Sequence, residues 1–230
     1  ATAVTLLSPP SSGAYSSEIS VSAVLTADGA PVANRYLSFS VGPQTRTVLT
    51  NGAGEATADL ALLGQAGGTE LTVTFAGDIE YEASFDTVPF TIAKQATQLT
   101  LVPEEVTAEV GQPLPFVATL TDVAERPFGQ KTVFFILTGA NGSYAEAVIT
   151  DFAGRAALNA VPLPAGTYTV AVYFSGTIPL PSGDLNLPDD RYLPATTSGV
   201  LTLVDPPVET GETLYLSTSD GGIVDDVAYS

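Results

Sequence analysis

Three groups of carboxylates stand close together in this sequence: Asp78, Glu80 and Glu82; Asp184, Asp189 and Asp190; and Asp220, Asp225 and Asp226. Calcium takes six to eight oxygen ligands in flexible geometry, so several carboxylates from one or two loops are what it needs. None of the groups has the spacing of an EF-hand loop or of a repeated acidic nonapeptide. The middle group has the most to offer, because Asn186 and nearby carbonyls add oxygens. The expected site is a calcium ion bridging Asp184, Asp189 or Asp190 to Asp225 or Asp226. The competing reading is solvated acidic surface. Two carboxylates also suffice for glycosidic cleavage, but no spacing here fixes the separation of a pair. Without Trp there is also no strong stacking platform for a sugar.

Lys94 and Lys131 raise a different chemistry, an amide crosslink to Asn or Asp, which needs a buried amine among apolar neighbours. Lys131 aligns with Arg35 in an internal repeat, so a recurring exposed cation is the simpler account. Lys94 falls between the two copies of the repeat, where burial is not expected. Tyr15, Tyr36, Tyr81, Tyr144, Tyr192, Tyr215 and Tyr229 are candidates for ligand contact or for packing loops onto the fold. Asn141-Gly142-Ser143 fits a glycosylation acceptor and, more simply, an Asn-Gly turn. Thr2, Ser11, Ser12, Ser16, Ser17, Thr196, Thr197 and Ser198 permit O-glycosylation.

What is missing narrows the function further. With no His and no Cys, nucleophilic triads, thiolate chemistry, disulfides and cysteine zinc sites are excluded. A net charge of −18 over 230 residues repels phosphate backbones and anionic lipid. Neither nucleic acid nor membrane insertion is expected, and no apolar run reaches the length of a transmembrane helix. The chain opens at Ala1 without an initiator Met, which reads as a mature or excised piece of a larger secreted protein. A non-enzyme is the favoured class.

The elements that must position these residues repeat. Ala1 to Leu6 lines up with Ala96 to Leu101, and Ile19, Val21, Ala23 and Leu25 with Leu114, Phe116, Ala118 and Leu120. Leu37, Phe39 and Val41 match Val133, Phe135 and Leu137; Leu71, Val73 and Phe75 match Val170, Val172 and Phe174. The second copy is longer by a loop insertion near 177–190. Apolar residues recur at every second position in short runs that end at Gly, Pro, Asn or Asp, the signature of half-buried strands. Seven strands are expected per copy: 3–7, 18–26, 36–42, 45–50, 55–62, 69–76 and 87–93, then 98–102, 114–121, 132–138, 144–150, 155–161, 167–174 and 199–204. That is the count of an immunoglobulin-type sandwich. The chain is therefore expected to be all-β: an Ig-like domain over 1–94, a second over 95–205, and a strand-like or hairpin tail over 206–230. The predicted cores are Val21, Leu25, Phe39, Leu60, Val73 and Phe75, and Phe116, Leu120, Phe135, Leu158, Val172 and Phe174. At ~1.5–3 kcal/mol per fully buried large side chain, such cores offset chain entropy without disulfides. The junction Ile92-Ala93-Lys94-Gln95-Ala96 has no Gly, Pro or Ser run and predicts a short, stiff linker.

Phe75-Ala76-Gly77-Asp78-Ile79-Glu80-Tyr81-Glu82-Ala83-Ser84 resembles the FAGDxxYxxS signature of bacterial Ig-like repeat domains. Asn51-Gly52-Ala53-Gly54-Glu55-Ala56 and Asp151-Phe152-Ala153-Gly154-Arg155-Ala156 resemble the [ND]xxGxA turn of the same family, which also occurs in invasin-like and intimin-like surface repeats. In the second copy the signature is interrupted after Phe174-Ser175-Gly176 by the insertion and resumes at Tyr192-Leu193-Pro194-Ala195. The resemblance implies a structural or adhesive module of an extracellular or cell-surface bacterial protein, with no catalytic residues. Its expected partners are a protein or glycan at the cell surface, or copies of itself. The alternatives are a subunit of a filament or surface layer joined through the tail strand, and a carbohydrate-binding accessory module of a secreted hydrolase.

Overall fold

A computed structural model describes residues 1–207. The segment expected to form the tail hairpin, with Asp220, Asp225, Asp226, Tyr215 and Tyr229, lies outside the described residues.

The first half folds into nine strands: β1 (Thr2–Leu7), β2 (Ser12–Ala14), β3 (Glu18–Ala27), β4 (Ala30–Pro31), β5 (Tyr36–Val41), β6 (Gln44–Leu49), β7 (Glu55–Ala61), β8 (Gly67–Phe75) and β9 (Ser84–Ala93). One sheet pairs β3 with β1, β4 and β7; the other runs β2-β9-β8-β5-β6. The second half gives β10 (Thr97–Val102), β11 (Glu105–Glu109), β12 (Val117–Asp122), β13 (Thr132–Gly139), β14 (Gly142–Ile149), β15 (Arg155–Ala157), β16 (Gly166–Phe174), β17 (Gly176–Leu180), β18 (Gly183–Leu187) and β19 (Ala195–Val204). Its sheets run β10-β12-β15 and β11-β19-β16-β13-β14, with β17-β18 as a separate hairpin. Each half is an immunoglobulin-like sandwich, and no element in the described residues is helical.

Alternation drives both. In β12 and β16 every second residue is buried, and the buried sets meet between the sheets. All twelve residues expected in the two cores are buried there. The second core also takes in Tyr168, which is fully buried and donates its hydroxyl to Pro164 O at 2.8 Å. That is the bond of a tyrosine corner. The first sandwich has Thr69 at the matching place.

The [ND]xxGxA turn has a physical reason in both copies. Asn51 Oδ1 accepts the amides of Ala53 and Glu55, and Asp151 Oδ1 those of Ala153 and Arg155, at 2.8–3.0 Å. Gly54 and Gly154 then sit at a φ of +74°, where a Cβ would lie 2.5 Å from Leu25 O or 2.4 Å from Leu120 O. Beside each turn a buried threonine, Thr50 or Thr150, donates to the carbonyl of Val32 or Phe128.

Several elements differ from expectation. The strand expected over 155–161 pairs only as far as Ala157, because Pro162 and Pro164 follow and lack amide donors. Pro113 and Pro115 likewise delay β12 to Val117. Strands β2 and β11 are additions that short Gly- or Glu-containing runs did not announce. The insertion expected as a loop folds as the hairpin β17–β18, pairing Ile178 with Leu185 and burying Ile178.

Candidate functional site

The residues with chemical potential converge on the seam between the sandwiches, where the hairpin β17–β18 returns to the fold. Asp189 follows β18 and is held in a tight turn. Its Oδ1 accepts the amides of Arg191 (2.8 Å) and Tyr192 (3.1 Å), and its own amide donates to Ser175 Oγ (2.7 Å). Lys131 Nζ donates to Asp189 Oδ2 at 3.0 Å and lies 4.6 Å from the centre of the Tyr192 ring. Tyr192 packs against Phe128 (4.5 Å between ring centres) and Phe174 (6.5 Å). Burial alone would raise the Asp189 pKa, but the Arg191 amide and the Lys131 ammonium outweigh it and hold the carboxyl below its ordinary range.

The linker threads into this turn. Gln95 N donates to Arg191 O (2.8 Å) and Leu193 N donates to Gln95 O (2.9 Å), making a parallel bridge between Gln95 and Tyr192. Lys94 Nζ donates to Asp189 O at 2.7 Å, and Thr97 Oγ1 to Leu193 O at 2.8 Å. The Gln95 side chain is buried and donates from Nε2 to Asp122 Oδ2 (3.2 Å). Asp122 is 1% exposed and also accepts the amides of Ala124 and Arg126 and the Arg126 guanidinium. Burial raises the Asp122 pKa; the Arg126 amide and guanidinium and the Ala124 amide lower it by more, so the net shift is downward. From the first sandwich Tyr15 sets its ring edge-on to Tyr192 at 5.6 Å, and the Arg191 guanidinium lies over Tyr15 at 5.2 Å. The arrangement can bind and orient one sandwich against the other.

The same loop exists in the first sandwich without a linker in it. Asp78 Oδ1 accepts the amides of Glu80 (2.8 Å) and Tyr81 (2.9 Å), Arg35 pairs with both Asp78 and Glu80, and the guanidinium lies over Tyr81. Thr2 Oγ1 donates to Glu82 O, as Thr97 does to Leu193. Asp189, Lys131 and Tyr192 are therefore the counterparts of Asp78, Arg35 and Tyr81.

Of the expected metal ligands, Asp184 sits exposed at the hairpin tip, Asp190 is exposed, and Asp189 is the turn residue just described. The structure does not bring these three together, and no cluster of three acidic side chains suited to a metal forms among the described residues. Lys131 is not the exposed cation expected; it is half-buried against two aromatic rings. Lys94 is half-buried too, through its bond to Asp189 O. Lys131 faces an ionised Asp189 in an ion pair. Asn141 lies with Ala140 in the two-residue turn between β13 and β14 and donates to Ala165 O (2.8 Å). Gly142 is already paired with Gly139, so the expected Asn-Gly is not the central pair of this turn. A shallow cleft of about 300 Å³ is lined by Asp28, Glu80, Tyr81 and Glu82 beside Ala1.

Gln95, Asp122, Phe128, Ser175 and Arg191 join the site without being expected from the sequence. One signal was available: Asp189-Asp190-Arg191-Tyr192 repeats the spacing of Asp78-Ile79-Glu80-Tyr81, so the insertion splits the signature between Gly176 and Asp189.

No family model matches the chain, and no curated protein matches it. Among solved structures it is similar to the fibronectin(III)-like modules of Clostridium thermocellum CbhA, at 16% identity over 92% of this chain and 100% of that one, with a TM-score of 0.33. It is also similar to invasin, a bacterial integrin-binding protein, at 18% identity over 90% of this chain and 40% of that one, TM-score 0.49. A third likeness is to the adhesin InvE of Yersinia pseudotuberculosis, at 14% identity over 87% of this chain and 58% of that one, TM-score 0.41. The chain thus spans less than two thirds of both adhesins.

Proposed function

We propose that this chain is a non-catalytic module of an extracellular or cell-surface bacterial protein, in which two sandwiches held at a fixed angle carry an adhesive surface. The observation behind this reading is the linker clamp. Gln95 is bonded through its backbone to the loop of Arg191 and Leu193 and through its side chain to buried Asp122. A flexible tether would leave those groups to water. A fixed junction sets the direction in which a presented surface points and spares the ordering entropy that a loose linker loses on binding. The partner class is a protein or glycan at a surface.

Solution scattering together with distance measurements between labels on β6 and β14 tests the junction. A single narrow distance distribution is expected, broadened in Gln95→Gly. A broad distribution in the unaltered chain defeats the reading. Adhesion of the labelled chain to panels of matrix proteins and glycans, with no turnover of either, tests the functional half.

Calcium enters this reading through Asp184 and Asp190, which are exposed, together with Asp225 and Asp226, which lie outside the described residues. Asp189 already accepts two amides and the Lys131 ammonium and is set aside.

A further inference from the structure

We infer that the two sandwiches carry tension unequally and that the first yields before the second when the chain is pulled by its ends. This goes beyond the proposed function, since it concerns the response to force whatever surface the chain presents.

In each sandwich a short strand near the N-terminal side pairs in parallel with the last strand: β2 with β9, and β11 with β19. Tension pulls the earlier strand toward its own start and the later strand toward its own end. Because the strands are parallel, these pulls oppose along the strand axis, and the ladder is sheared with its evenly spaced bonds loaded together. The outer antiparallel pairs, β1 with β3 and β10 with β12, have six register pairs each and do not separate the two halves.

The parallel ladders differ in length and anchorage. The first has three register pairs, Ser12 with Thr91 to Ala14 with Ala93. The second has five, Glu105 with Val200 to Glu109 with Val204. In the first, Gly13 lies at the centre and offers no side chain; a Cβ there would lie 2.4 Å from Leu62 Cδ1. In the second, Val106 and Ala108 pack against the core, so sliding β11 also drags apolar side chains out of it. Both ladders carry a flanking bond at each end, Thr91 N to Ser11 O and Tyr15 N to Ala93 O in the first and Val200 N to Glu104 O and Val110 N to Val204 O in the second, so they differ in length and not in their ends. In the second these bonds set the alternation. They place the amides of Val106 and Ala108 toward β19.

Force spectroscopy on the full chain, held at its two termini, tests this. Two unfolding events are expected, the weaker at about 0.6 of the force of the stronger, following three pairs against five. The strands of the first sandwich span Thr2–Ala93 and those of the second Thr97–Val204, so the weaker event should release the shorter length, by about 55 Å at ~3.5 Å per residue. Ala108→Pro removes one donor and interrupts the longer ladder after Thr107, leaving three uninterrupted pairs, and should lower the stronger event toward the level of the weaker one. Val106→Gly keeps the backbone bonds, guards against misfolding of the proline variant, and should lower that event by a smaller fraction. In the unaltered chain, equal forces or release of the longer length first would overturn the inference, as would a strong event unmoved by both variants.

Discussion

The loops that follow β8 and β16 are built from the same parts and used differently. Each has an aspartate capping two amides, a cation across from it and a tyrosine under the cation. In the first sandwich the loop is continuous and its aspartate pairs with Arg35, a cation as half-buried as Lys131. In the second, a hairpin is spliced in just before the aspartate, the cation is Lys131, and the loop receives the linker and Tyr15. A loop already stiffened by its own aspartate costs little further entropy when a neighbouring strand docks onto it. The first function of the motif is then to order the loop, and docking is added where a linker is present.

That difference is sharpest at the tyrosines. Tyr192 touches Phe128, Phe174 and Tyr15, whereas Tyr81 lies under one guanidinium at the edge of its core. Tyr192→Ala is expected to destabilise the second sandwich by about 3 kcal/mol, the low end of an aromatic truncation, because the ring is half-buried. It should also broaden the distance distribution between the sandwiches. Tyr81→Ala should cost less and leave that distribution unchanged. Denaturant titration with the label measurements reads both. If the two variants behave alike, the second loop is not a docking element.

The aspartates come next. Asp189→Ala would strand the Arg191 and Tyr192 amides and leave Lys131 without its partner, an expected loss of about 2 kcal/mol. Asp78→Ala is expected to be milder, since its side chain is more exposed than that of Asp189, 30% against 20%, and no linker docks on its loop. Amide exchange at Tyr192 and Tyr81 locates each effect. A larger loss from Asp78 than from Asp189 would break the comparison.

The fold was legible because its cores alternate strictly, as in Leu37, Phe39 and Val41. Proline told against strands only after the fact: Pro162 and Pro164 sit among buried Leu158, Val161 and Leu163, whose apolar spacing alone reads as a continuing strand. The site was less legible. Asp189 and Asp190 look alike in sequence, yet one caps a turn and the other faces water, and only the repeat of Asp-x-x-Tyr distinguishes them. Gln95 and Asp122 carry no motif at all. Their contact joins residues 27 positions apart through a junction that a single copy of the repeat does not contain.

Acid should loosen the junction in a defined window. Asp122 and Asp189 both have folded-state pKa values below the ordinary 3.8. Groups depressed in this way stabilise the folded state fully above the unfolded pKa and lose that contribution as pH falls through the folded one. Stability attributable to the junction is thus expected to be flat from pH 7 to about 5 and to fall below about 4. Asp122→Asn should flatten part of that fall. A decline centred near pH 6 would contradict the assignment, because the chain has no histidine to supply it.

The smallest expected effect separates the engaged carboxylate from the free ones. A net charge of −18 is relieved by any cation, so sodium chloride alone should raise the melting temperature somewhat. Specific calcium binding at ten times its Kd would add about 1.4 kcal/mol, or roughly 3–5 °C for a chain of this size. Because Asp189 already bonds two amides and Lys131, the calcium increment should vanish in Asp184→Asn/Asp190→Asn, which leaves Asp189 untouched. Chelator should reverse the increment in the unaltered chain. If sodium chloride at matched ionic strength gives the same rise and calorimetry finds no saturable binding, Asp184 and Asp190 are solvated surface. In that case the only work done by this acidic group is the turn held by Asp189.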